Sequence, residues 1–130
     1  MATSKVHSAD FYSHLAHLFY AIASVDHSIT RKEKEEIIRL VDELWSAKNS
    51  ELNSKEIIYS CLKKLIIDKT ENQKAFESFK NYFLENLARF DDKLKEKVMD
   101  SVYNIANATA KRNKSELLIL SRLHQLLFKN

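Results

Sequence analysis

In 130 residues there is no glycine and no proline. Two-residue β-hairpins need backbone with positive φ, which glycine supplies most cheaply, and sheets of several strands need several such turns. The chain must therefore turn by other means. Polar links between helices are the economical solution, with Ser, Thr, Asn and Asp side chains satisfying the helix starts. An all-α fold follows, and the start signals are there to be read.

Ser8 precedes the first helix and can cap it. Phe11, Leu15, Leu18, Ile22 and Val25 recur at spacings of three and four, which sets them on one face. Ala16, Phe19 and Ala23 widen that face, and the two alanines allow a neighbouring helix to come close. The polar turn Asp26-His27-Ser28-Ile29-Thr30 ends this helix. Thr30 and Glu33 then form the pattern of a capping box, hydroxyl to backbone N–H one way and carboxylate to backbone N–H the other. Ile29 is the only apolar residue of the turn and is expected to drop into the core. The second helix carries Ile37, Leu40, Val41, Leu44 and Trp45 inward.

Residues 47–52 read as a polar link. Asn53 starts a third helix with Ile58, Cys61, Leu62, Leu65 and Ile66 on its apolar face. Thr70 and Gln73 suggest another box, opening a helix that carries Phe76, Phe79, Phe83, Leu84, Leu87 and Phe90. Asp91 or Asp92 caps a fifth helix with Leu94, Val98, Val102, Ile105 and Ala106 inside. Asn113 and Glu116 open the last, with Leu117, Leu120, Leu123, Leu127 and Phe128 facing in. The expected fold is a single compact helical bundle of about six to seven helices, one domain over residues 1–130, with residues 1–8 flexible.

The last two helices echo the first two without a gap. Tyr20 aligns with Tyr103, Ile22 with Ile105, Ala23 with Ala106, Glu33 with Glu116, Leu40 with Leu123 and Leu44 with Leu127. The turn itself does not repeat: Asp26 falls on Thr109 and Ile29 on Arg112.

The 21 basic and 18 acidic residues are interleaved, for a net charge of +3, so no polyanion partner and no specific nucleic-acid binding is expected. No apolar run reaches the ~20 residues of a membrane span, and the N-terminus lacks the apolar core of a signal peptide. A cytoplasmic protein is the expectation. Without glycine there is no phosphate-binding loop. His14 and His17 share a helix face and could join a third ligand to hold zinc, although a partly exposed pair is the simpler reading. Cys61 is the only cysteine. It sits on an apolar face, and no base is apparent beside it, so packing is the expected role. Tyr59 and Tyr82 with nearby lysines read as helix edges. The Lys111, Arg112, Lys114 cluster could meet an anion or an acidic partner, or simply suit a helix C-terminus. An enzyme is the least supported class.

The stretch from Ala21 through Asp26, Ile29 and Thr30 to Glu33 resembles the signature of the TerB-like family, the tellurite-resistance helical domain also found in some DnaJ-type membrane co-chaperones. That signature is a helix ending Ala-x-x-Asp-Gly-x-Ile-Ser/Thr-x-x-Glu. His27 stands here in place of the usual Gly. The resemblance implies a non-enzymatic helical module in a stress-response or membrane-associated assembly, with a protein partner. It also implies a divalent metal ion held by acidic turns, which in this chain would draw on Asp26, Glu33 and Glu116. The alternative is a metal-free scaffold that keeps the fold and binds protein. A hard cation wants six or more oxygens, and the second turn lacks its Asp, so this set needs backbone carbonyls and water to complete it.

Overall fold

The computed structural model describes residues 8–25, 29–46, 53–108 and 114–129. Among them are six helices: α1 (Ala9–Ala23), α2 (Arg31–Leu44), α3 (Ser54–Ile67), α4 (Asn72–Glu85), α5 (Asp92–Ala106) and α6 (Lys114–Phe128), with one 3-10 turn at Leu87–Arg89. The described residues contain no strand, as the missing glycine and proline imply. The expected flexible N-terminus up to His7, the link at 47–52 and the turn residues Asp26, His27, Ser28, Thr109 and Arg112 lie outside the described residues.

Helix α1 is the axis of the bundle, with α3, α4, α5 and α6 against it. From Leu18 to Ala23 it is buried on every side, with Tyr12, Tyr20 and Ala21 joining the stripe expected from spacing, while Asp10, Ser13, His14 and His17 keep one face of its first half in partial contact with water. A helix apolar all round belongs in a core, and each fully buried Leu, Ile or Phe contributes roughly 1.5–3 kcal/mol. Ala16 and Ala23 are buried among these neighbours, as close helix approach requires. Helix α2 lies instead against α5 and α3.

Most helix starts follow the local rule. Ser8 Oγ accepts from Phe11 N–H at 3.1 Å, and Asp91 Oδ1 from Leu94 N–H at 2.9 Å. Asn53 caps α3 through Glu56 N–H at 3.1 Å. Thr70 departs from expectation. The helix starts two residues later, with Glu71 as its N-cap and no side-chain cap bond. The reason lies in the end of α3. Lys69 takes φ = 53°, the left-handed conformation, while its N–H bonds Ile66 O and the Thr70 N–H bonds Leu65 O. This is a Schellman stop with lysine where glycine is usual, and it fixes Thr70 before α4 can use it. The Thr70 carbonyl is also taken, by the Tyr20 hydroxyl at 2.7 Å.

The fourth helix is shorter than expected. It ends at Glu85, and Phe90 belongs to the link before α5. There Phe90 touches Phe83 edge-on at 4.8 Å between ring centres and also contacts Phe11, Phe79 and Tyr82. Trp45 closes the other side of this cluster. Its Nε1–H donates to Ser101 Oγ at 3.0 Å, and its carbonyl accepts from Ser54 Oγ at 2.7 Å. The Lys97 ammonium lies 4.2 Å from the Trp45 ring centre, a cation–π contact. The end of α2 is thereby tied to α5 and α3 together.

Several inward assignments are corrected. Leu44, Ile66, Leu84, Leu87, Leu117 and Phe128 are all exposed. They sit at stripe edges, where a rotation of tens of degrees decides between core and solvent.

The internal echo extends to the helix boundaries. An offset of 83 residues carries α1 onto α5 end for end, and the start of α2 onto the start of α6. The same offset carries the Ser8 cap onto the Asp91 cap, and the buried Glu33 onto the buried Glu116.

Candidate functional site

The turn between α1 and α2 is described from Ile29 onward. Thr30 Oγ1 accepts from Glu33 N–H at 3.1 Å, and Glu33 Oε1 accepts from Thr30 N–H at 2.8 Å. The capping box is complete. Glu33 is 0 % exposed and Glu116, its counterpart in α6, is 1 % exposed. Among the described residues no three His, Cys, Asp or Glu side chains come together as a group able to hold a metal ion. Glu33 already spends one oxygen on its own helix start, so the described residues do not form the cation site that the resemblance implies; Asp26 lies outside them.

Beside this turn is an apolar hollow. Helices α2 and α3 flank a groove of about 380 Å3 floored by Ile29, Ile37, Ile38, Leu62, Ile66 and Ile67, with Tyr59 at one side. Its origin is local. Adjacent isoleucines sit about 100° apart around a helix, so Ile37 enters the core and Ile38 cannot follow. At the end of α3 both members of the Ile66–Ile67 pair stay at the surface. Ile38 is left 49 % exposed and Ile67 67 %. Tyr59 OH donates to Ile38 O at 3.4 Å, and Lys55 Nζ pairs with Asp42 Oδ1 at 2.7 Å, closing one end of the groove. The other end shares Ile29 and Ile66 with a more polar hollow that reaches Ser24, Lys69 and Thr70. Among the described residues the charged side chains lining the apolar groove are Lys34 and Lys63, with no carboxylate.

A second constellation lies between α1 and α3. Cys61 Sγ is 3.6 Å from His17 Nδ1, 3.7 Å from Ser13 Oγ and 3.6 Å from Ser13 O. His17 Nδ1 lies 2.8 Å from Ser13 O, and only the protonated nitrogen can bond that carbonyl. The His17 ring stacks on His14, which stacks on Tyr82 at 4.4 Å. Burial pushes the Cys61 thiol up. The hydrogen bonds of His17 and Ser13, with the charges of His17 and Lys64, outweigh it and hold the thiol below its ordinary range. For His17, the bond to Cys61 raises the imidazole, burial opposes it, and the Ser13 carbonyl adds to the rise. The net shift is upward. Cys61 is thus half-buried with a histidine beside it, where sequence reading expected plain packing.

Neither feature was found from sequence. The groove had a signal, the Ile37–Ile38 and Ile66–Ile67 doublets, each one residue wider than a single stripe. The His17–Cys61 pair had none, because it depends on how α1 and α3 dock. Elsewhere a polar hollow of about 560 Å3 between α4 and α6 is lined by Lys80, Arg122 and Lys129 with Gln73, Glu77 and Gln125. No described helix is long and apolar enough to cross a membrane. Comparison of the chain with family models, with curated proteins and with solved structures finds no match.

Proposed function

We propose that this chain is a non-enzymatic helical interaction module of TerB-like kind, and that its α2–α3 groove takes one amphipathic helix bearing acidic residues. The observation that carries this reading is the groove itself: isoleucine side chains held half in water, with two lysines and, among the described residues, no carboxylate at the rim. Leaving Ile38 and Ile67 exposed gains the isolated chain nothing. Covering them returns up to roughly 1.5–3 kcal/mol per side chain. A trough between two helices suits a third helix, as in helix-in-groove recognition, better than a flat bilayer. Lys34 and Lys63 form no ion pair among the described residues and would meet Glu or Asp flanking the partner's apolar face. The groove is small against the ~800 Å2 per partner of a stable complex, so micromolar affinity is expected, with salt dependence from the lysines.

Fluorescence anisotropy with a labelled Leu/Glu amphipathic helix tests this, beside a Leu/Lys helix of the same pattern. The acidic peptide binds, the basic one binds more weakly, and Ile38→Asp with Ile67→Asp removes binding while the circular dichroism spectrum is kept. Equal binding by the doubly substituted chain rejects the groove, and binding only to anionic vesicles reassigns it to a membrane surface.

A second reading keeps the metal. It is favoured by the 83-residue register that sets two buried glutamates, Glu33 and Glu116, at equivalent helix starts. Thermal unfolding of chelated protein with added Ca2+, Mg2+, Mn2+ or Zn2+ separates the two. A cation at 100 times its dissociation constant adds ~2.7 kcal/mol. On the metal reading that gain disappears in Asp26→Asn; on the scaffold reading no ion produces it.

A further inference from the structure

We propose that Cys61 is a thiol modification site: its Sγ, set against His17 Nδ1 and Ser13 Oγ in the seam between α1 and α3, attacks a peroxide as the thiolate and is carried to a sulfenic acid.

The geometry differs from that of a packing cysteine. A structural thiol sits among aliphatic groups that offer nothing to an anion. Here two side chains face one sulfur: His17 Nδ1, whose N–H is shared with Ser13 O, at 3.6 Å and the Ser13 hydroxyl at 3.7 Å, while in the thiol form Sγ can itself donate to Ser13 O at 3.6 Å. His17 is itself oriented, since Nδ1 lies 2.8 Å from Ser13 O and the ring face rests on His14. That bond keeps the proton on the nitrogen that faces the sulfur, so the imidazolium can stabilise a thiolate. The charged groups acting on Cys61 are His17 from α1 and Lys64 from its own helix, and both favour the anion. Cys61 is also half-buried rather than sealed, which leaves it open to a reagent of peroxide size.

The Cys61 thiolate attacks one oxygen of the peroxide, the S–O bond forms and the O–O bond breaks. Sulfur loses two electrons and the peroxide gains them. The departing hydroxide, or alkoxide, takes the proton of the His17 imidazolium and leaves as water or alcohol. The chain holds a single cysteine, so no resolving thiol exists within it. The sulfenic acid therefore persists until a thiol from another molecule condenses with it.

The test uses the full chain and hydrogen peroxide. Alkylation of Cys61 by iodoacetamide is followed against pH for the folded protein and for the same protein in urea. Peroxide-treated protein is then trapped with dimedone and weighed by mass spectrometry. The expected folded profile has its midpoint below that of the unfolded chain, which should lie near the ~8.5 of a free thiol. One dimedone adduct is expected, absent in Cys61→Ser. In His17→Gln the folded midpoint returns toward the unfolded one. If that variant fails to fold, the folded-against-unfolded comparison still decides. A folded midpoint at or above the unfolded one, or no dimedone adduct after peroxide, overturns the proposal.

Discussion

The tie between Trp45 and Ser101 joins the end of α2 to the middle of α5, and its strength can be worked out in advance. Trp45 is 2 % exposed and Ser101 is fully buried, so neither can turn to water when its partner is lost. The Ser101 hydroxyl accepts from Trp45 Nε1–H and donates to Lys97 O at 2.9 Å. Ser101→Ala leaves the indole N–H buried without an acceptor, which costs about 1–3 kcal/mol. Trp45→Phe removes the same bond, worth about 1 kcal/mol net, and adds the loss of indole packing and part of the cation–π contact. Once Phe stands at 45, Ser101→Ala has no bond to that residue left to break and loses only the one to Lys97 O. The double substitution should therefore cost about 1–2 kcal/mol less than the sum of the singles. Urea unfolding followed by circular dichroism measures all four proteins. Fluorescence cannot serve, because Trp45 is the only tryptophan. Additivity within about 0.3–0.5 kcal/mol would refute the coupling and the geometry that places Trp45 against α5.

Two further outcomes follow from local geometry. Lys69→Gly relieves a lysine held at φ = 53° and should stabilise the fold by about 1 kcal/mol, seen as a rise in Tm; a fall would contradict the Schellman stop. His17 has its pKa raised on folding, so its stabilising contribution is complete below the unfolded pKa of ~6.5 and fades as pH rises through the folded value. Urea unfolding of wild type and His17→Gln across pH 5 to 9 should give curves that converge as pH rises. A gap that widens between pH 5 and 8 would reverse the assignment.

What sequence could and could not reveal divides along the range of the interaction. Ser8, Thr30, Asn53 and Asp91 bond a backbone N–H three residues on, so their roles are written in adjacent letters. Thr70 had the same letters and failed, because the stop at Lys69 had already committed its N–H to Leu65 O, five residues back. The 83-residue echo was visible in residue types, and the helix boundaries follow it. Leu117 was expected inside and is 50 % exposed, since apolar spacing fixes a face only to within a stripe's width. Among the three acidic residues implied by family resemblance, Glu33 takes the capping role that its spacing from Thr30 already suggested. The groove and the His17–Cys61 pair arise from the angles at which α1, α2 and α3 meet. Those angles are set by the whole core rather than by any motif.

The most direct test of the interaction reading is an amide-resolved NMR titration of the chain with the Leu/Glu amphipathic helix. The account predicts that shifts concentrate on Lys34, Ile38, Tyr59, Lys63, Ile66 and Ile67, the residues of the α2–α3 groove, and weaken with added salt. Shifts centred on the hollow of Lys80, Arg122 and Lys129, or none at all at millimolar peptide, would contradict it.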